Sequence, residues 1–344
     1  MKFLTSILQQ LPEYRRLRDC AALPCSTSAA AGLTAIHKAH IIHTLCNETG
    51  NRALVAVSNE AEAQTLANDL SSMGSRALVY PLRDFTFRDI QGQSHAYEHK
   101  RLHVLSKMLR GDYSVVIACI DAASQYTIPP KALQEATLTL CSGGNLSMET
   151  AVQVLTRIGY ERCEQVEGAG QFAVRGGILD FYMPDAPAPV RAEFWGDQID
   201  TLNYFDPETQ RRTEYIEELT LTPSTEVLIQ DKNALALQIE RHAALLRGKA
   251  APLARQVLQN EADALKNGLT IASKDKFIGL VYEKPATLFD YMGREDFLFI
   301  SEPVKTNDRM RAYARLFEEE LKDCFSSGAL CRGFDTYSLD QVAL

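Results

Sequence analysis

Residues Gly170–Arg212 read GQFAVRGGILDFYMPDAPAPVRAEFWGDQIDTLNYFDPETQRR, and this stretch decides the fold. In Val190-Arg191-Ala192-Glu193-Phe194-Trp195, apolar and polar residues alternate, which is the period of a strand with one covered face. Val190, Ala192 and Phe194 fall on one side; Arg191, Glu193 and the only tryptophan, Trp195, fall on the other. Gly196-Asp197 reads as a two-residue turn, with Gln198 to Phe205 as the return strand. Upstream, Phe172 and Val174 alternate with Ala173 and Arg175, and Gly176-Gly177 turns the chain into Ile178 to Tyr182. A small antiparallel sheet is expected, with a core on one face and arginines beside a large aromatic on the other. Two readings of the second face stand open. A further layer buries Trp195 as ordinary core above a solvated Arg191 and Glu193, or the face is an interface, since Trp and Arg are enriched at interface centres.

Working outward, 344 residues suggest two or three domains. A 46% hydrophobic and 23% charged composition is that of a globular protein with a sizeable core. The net charge of −8 argues against a large nucleic-acid footprint, which needs a basic excess. Met1 to Arg18 carries apolar residues at helical spacing, but Gln9, Gln10, Glu13 and Arg15-Arg16 interrupt it too early for a signal peptide or membrane span. The eight cysteines are scattered without a C-x-x-C pair and read as reduced thiols, so a cytoplasmic protein without a membrane partner is expected.

The first third alternates strand and helix. Ala53 to Ser58 and Arg76 to Tyr80 read as strands around a helix capped by Asn59; Ser94 to Arg110 is the next helix and Tyr113 to Cys119 the third strand. That β-α-β-α-β order implies a parallel sheet with helices on its faces. Pro129-Pro130 breaks the pattern. A strand (Ala136 to Cys141), a capped helix (Ser147 to Ile158) and the hairpins follow. Beyond Pro223, Asp231 to Leu246 and Pro252 to Lys266 are helical by period, then a strand, Phe297 to Ile300, leads to a last helix, Asn307 to Cys324. The expected fold is an α/β parallel-sheet domain in two pieces, 1–131 and 223–344, around an inserted α+β domain with an antiparallel sheet, 132–222.

Three runs, Gly170 to Asp180, Arg191 to Asp197 and Phe205-Asp206-Pro207-Glu208-Thr209-Gln210-Arg211, resemble the N-terminal module of the transcription-repair coupling factor (Mfd) family, a module shared with the excision-repair protein UvrB. The resemblance implies a degenerate P-loop motor-like domain, a non-catalytic adaptor whose inserted domain binds UvrA and recruits it to RNA polymerase stalled at DNA lesions. It places Arg175, Arg191 and Trp195 on the family's contact positions, where the aromatic is more often phenylalanine. In the full-length family a polymerase-binding domain and an ATP-dependent DNA translocase follow, so the chain is expected to be an N-terminal fragment or a shortened relative.

The residues point the same way on ATP. A nucleotide loop needs glycines, a lysine and a Ser/Thr for magnesium. The corresponding region, expected between the first strand and helix, reads Leu23-Pro24-Cys25-Ser26-Thr27-Ser28-Ala29-Ala30-Ala31-Gly32-Leu33, and the late strand ends in Ser301-Glu302-Pro303 in place of Asp-Glu. No cofactor is expected. The alternative is an enzyme, either a metal-dependent hydrolase or a nucleotide-binding protein. His95, Glu98 and His99 match H-x-x-E-H, with the histidines one helical turn apart and Glu98 as base. Against it, Leu102, Leu105 and Leu109 form the helix's apolar stripe, with His95, His99 and His103 on its polar flank. His37, His40 and His43 drift around a helix and read as incidental, Cys119 reads as core, and Arg83-Asp84-Phe85-Thr86-Phe87-Arg88-Asp89 as a surface loop closing on its own domain.

Overall fold

The computed structural model describes residues 2–23, 25–88, 94–248 and 250–339, with the side chains of residues 2–4 left aside. Two compact units are present. One comprises Met1–Leu82, Arg110–Ala123 and Tyr291–Tyr313; the other comprises Arg83–Leu109, Ser124–Asp290 and Ala314–Leu344.

The first unit is built on a four-stranded parallel sheet. Strands β1 (Ala53–Val57), β2 (Ala77–Tyr80), β3 (Val115–Cys119) and β12 (Phe297–Ile300) lie in the order β12-β1-β3-β2. Val55 pairs with Ile117 on one side and Phe299 on the other. Every residue of β1 and β3 is buried, as continuous apolar runs covered on both faces must be. Asn59 caps the helix Glu60–Ser72 by accepting the Glu62 N–H at 2.8 Å. The segment expected to stand between a strand and a helix instead joins two helices, Pro12–Ala21 and Ala35–Thr49, with Pro24 outside the described residues. Its Cys25, Ser26, Thr27 and Ser28 have no apolar period to form a strand.

The second unit contains the remaining strands: β4 (Leu138–Cys141), β5 (Glu161–Arg162), β6 (Gln171–Arg175), β7 (Ile178–Phe181), β8 (Val190–Trp195), β9 (Gln198–Phe205), β10 (Arg212–Tyr215) and β11 (Glu218–Leu221). β11 and β4 pair with each other; the others form one sheet in the order β10-β9-β8-β7-β6-β5. Both two-residue turns are where the sequence places them. Gly176 and Gly196 take φ of 61° and 60°, the left-handed values such turns need. One face of the sheet carries Phe172, Leu179, Phe181, Val190, Ala192, Ile199 and Leu202, which bury Ala151, Leu155 and Ile158 from the helix segment after Ser147. Phe194 packs on this core but is only half-buried, so it is a margin of the core and not its centre.

Two expectations are corrected in this unit. The run from Arg83 is not a surface loop: Arg83, Phe85, Thr86 and Phe87 are buried, and Phe87 packs at a tilt against Tyr337 with ring centroids 4.7 Å apart. Aromatic rings outweigh the flanking charges, because each removes far more apolar surface from water than Asp84 or Arg88 needs to keep wet; Asp89 lies outside the described residues. On the helix Ala96–Arg110, Leu102 and Leu105 are buried but Leu109 is exposed, and the stripe contains the fully buried Arg101.

That arginine belongs to a buried polar cluster. Arg101 donates to Glu226 through Nε (2.7 Å) and Nη2 (3.3 Å), and to the Gln125 side chain through Nη1 at 2.8 Å. Arg83 pairs with Asp275 at 3.2 Å, and Gln125 donates to the Arg83 carbonyl at 2.7 Å. Burial raises the Asp275 carboxyl above its ordinary range, against the pull of Arg83. Paired buried charges of this kind cost little only while every partner is present.

Candidate functional site

The outer face of the six-stranded sheet follows from strand parity. Asp180 on β7 lies opposite Arg191 on β8, and Arg191 lies opposite Asn203 on β9. Residues so paired share a face. Between Glu193 and Phe194 the register shifts: Glu193 faces Thr201 and Phe194 faces Ile199, leaving Asp200 as a bulge. The bulge is confined to β9, so β8 keeps its alternation and Arg191, Glu193 and Trp195 stay on one side.

Arg191 is held on that side by its neighbours. Its Nε and Nη2 donate to the two oxygens of Asp180 at 2.7 and 2.9 Å, a two-pronged grip. Nη2 also donates to the Gln210 side-chain oxygen (2.9 Å), and Nη1 to the Gln210 carbonyl (3.1 Å). The guanidinium lies 4.4 Å from the centroid of the buried Phe205 ring, within reach of a cation–π attraction. Arg175 joins the same two partners: its Nη2 donates to Asp180 at 2.5 Å and to the Gln210 side chain at 3.3 Å. Asp180 is 1% exposed, Arg191 12% and Arg175 46%. Further along β8, Glu193 pairs with Arg212 of β10.

Trp195 ends the strand with 84% of its surface exposed. Among the described residues no second layer covers it, so of the two readings of this face the one that buries Trp195 is overturned. The sheet thus brings Arg175 and Arg191 together on one carboxylate and presents Trp195 on the same face. Asp180 and Gln210 were not singled out by sequence. Asp180 was within reach, since the alternation Ile178 out, Leu179 in, Asp180 out puts it between two arginines. Gln210 was not, because its place depends on a left-handed backbone, φ 59°, in the loop after Phe205.

The residues His95, Glu98 and His99 are arranged otherwise than a hydrolase would need. Glu98 is buried; one oxygen accepts from the Glu226 N–H (2.7 Å) and the Thr225 hydroxyl (2.8 Å), and the other contacts His95 Nδ1 at 3.1 Å. Burial pushes its carboxyl up, but Lys274, the His95 bond, Arg83 and the Glu226 N–H together outweigh it and hold it well below the usual range. A carboxylate so engaged is a poor proton acceptor for water. The His99 ring stands against Gly170, where an added Cβ would meet it at 3.4 Å, and burial lowers its pKa. Among the described residues no group of three His, Cys, Asp or Glu side chains is placed to hold a metal. Of the other histidines, His43 is buried and bonded to Ser75 at 2.8 Å. Cys119 is buried, its thiol pushed up to about 12 by burial, as a core cysteine and not a nucleophile would be.

In the first unit, Lys38 of the helix Ala35–Thr49 donates to Ser301 (2.9 Å) and pairs with Glu302 (2.7 Å), while Ser301 donates to Glu62 at 2.6 Å. The hydrogen bond from Lys38 lowers the Glu302 carboxyl. The lysine and the acid at the end of β12 therefore satisfy each other. No described helix is long and apolar enough to cross a membrane.

Residues 138–227 match a family model described as the UvrB interaction domain. The chain is similar to the transcription-repair-coupling factor of Bacillus subtilis (strain 168), 27% identical over 281 residues that cover 79% of this chain and 24% of that protein. It is similar to the protein of the same name from Staphylococcus epidermidis (strain ATCC 35984), 24% identical over 305 residues, 86% of this chain and 26% of the relative. A Staphylococcus haemolyticus counterpart is 25% identical over 305 residues. The chain spans about a quarter of the length of these relatives. The resemblance to the UvrB-like module of transcription-repair coupling factors, read from three short runs, thus extends over most of the chain.

Proposed function

We propose that this chain is a non-catalytic adaptor of transcription-coupled DNA repair, which binds UvrA through the outer face of the inserted sheet and recruits it to stalled RNA polymerase. Contacts with the polymerase and with DNA belong, on this reading, to parts of the longer relatives that this chain does not span. The observation that carries the proposal is an 84% exposed tryptophan on the same face of the sheet as two arginines held on one carboxylate. A large exposed aromatic sharing a face with oriented guanidinium groups is the composition of an interface centre. The match of residues 138–227 to the UvrB interaction domain supports a binding role for the domain that contains this face. The Lys38–Glu302 pair supports the absence of ATP chemistry in the first unit. The test is calorimetric titration of UvrA into the chain and into its Trp195→Ala variant. Saturable binding that the substitution weakens supports the proposal; no binding by the unaltered chain overturns it.

A further inference from the structure

The two arginines of the outer face differ in how much of each is still available. Arg191 uses four of its five N–H donors inside the sheet, on Asp180 and Gln210. Arg175 uses only Nη2, and its Nε and Nη1 carry no hydrogen bond to the described residues. The exposures agree, at 12% for Arg191 against 46% for Arg175. Both guanidinium groups share the Asp180 carboxylate, which is 1% exposed and so cannot itself touch a partner.

We infer that Asp180 is a positioning residue for partner binding: it fixes Arg191 as a buried strut and turns the free edge of Arg175 outward to take an acidic side chain of the partner, while Trp195 enters an apolar pocket. This rests on the UvrA-binding reading and assigns different roles to residues that reading treats alike. The physical reason lies in preorganisation. A guanidinium whose rotamers are already restricted loses less entropy when it meets a carboxylate. Arg191 supplies that restriction by stacking on Phe205 and closing the Gln210 loop against Asp180. Two positive groups on one carboxylate leave the cluster with an uncompensated positive charge, which suits an acidic partner residue.

The experiment measures UvrA affinity by calorimetry for the unaltered chain, Asp180→Asn, Arg175→Ala, the double variant, and Gln210→Ala. In parallel, the Nε–H signal of Arg191 is followed by NMR with ¹⁵N-arginine. Asp180→Asn keeps the shape of the side chain and removes its charge. We expect it to weaken binding about tenfold and Arg175→Ala to do the same. The double variant should be little worse than either, because residues acting through one another are not additive. The Arg191 Nε–H signal should be protected from exchange in the unaltered chain and lose that protection in Asp180→Asn. Should Asp180→Asn fail to fold, Gln210→Ala reports instead, with about a threefold loss of affinity and a shifted Arg191 signal. Independent, additive losses would overturn the inference while leaving UvrA binding intact, as would unchanged affinity in Asp180→Asn. Failure of the unaltered chain to bind UvrA overturns both readings together.

Discussion

Truncating Trp195 should separate binding from folding, and the structure supplies the magnitudes. A tryptophan or other aromatic removes about 150–250 Å² from water when fully covered. With 84% of Trp195 still exposed, the transfer energy available to a partner is roughly 3–5 kcal/mol at about 25 cal/mol per Å². Side-chain ordering and imperfect desolvation reduce what is observed. We therefore expect Trp195→Ala to weaken UvrA binding by about 2–3 kcal/mol, a factor of roughly 30 to 150. The small part of the ring already covered limits the loss of domain stability to below about 1 kcal/mol.

The matched control is Phe181→Ala. Phe181 is fully buried at the centre of the inner face, and its truncation should cost about 3–5 kcal/mol of stability. The half-buried Phe194 is a weaker control. The assays are isothermal titration with UvrA and thermal melts of each variant. If Trp195→Ala melts the domain while Phe181→Ala is tolerated, the two faces of the sheet have been assigned the wrong way round. If Trp195→Ala binds UvrA as the unaltered chain does, tryptophan is not the anchor.

Three further outcomes are expected. Arg101→Met, which leaves the Glu226 carboxylate buried without its bidentate partner, should cost about 3–5 kcal/mol in urea unfolding; a loss below about 1 kcal/mol would show that water or a neighbour compensates. Burial lowers the pKa of His99, so below its unfolded value of about 6.5 the unfolded chain takes up the proton first. Stability of the second unit should therefore fall as pH drops through about 6.5 toward the folded value, and His99→Gln should flatten that slope; an unchanged slope would assign the dependence to other groups. Steady-state ATP turnover should not exceed a buffer blank, given Lys38 paired with Glu302; turnover abolished by Lys38→Ala would refute this.

Much of the fold was legible because its elements have simple periods. β1 and β3 are unbroken apolar runs, and β8 alternates strictly, so the side of Trp195 could be read from parity alone. The bulge at Asp200 could not, since Ile199 and Leu202 both turn inward at a spacing of three, which breaks the strand period until the register with β8 is known. Arg101 was missed for a different reason. An arginine on a helix reads as polar surface unless Glu226, 125 residues away, is known to lie beside it. Arg83 to Phe87 is too short and too charged to announce a core, and the approach of Tyr337 and Asp275 is what turns it into one. In the site, residue types at Arg175, Arg191 and Trp195 were visible, but the division of labour between the arginines required the donor count.

The sheet's two faces have different energetic origins, which would suit the adaptor role proposed above. The inner face is held by apolar burial of Phe172, Leu179, Phe181 and Val190, which depends little on salt. The outer face is held by charge-assisted hydrogen bonds converging on Asp180, one of which carries Arg191 onto the Phe205 ring. A site built on the second set can change its contacts without loosening the first, because β8 sends alternate residues to each. On the proposed function, binding through Trp195 and the outward edge of Arg175 would draw on groups outside the inner core. Substitutions there should alter affinity with little effect on melting, whereas substitutions at Asp180 act on both through the arginines it holds.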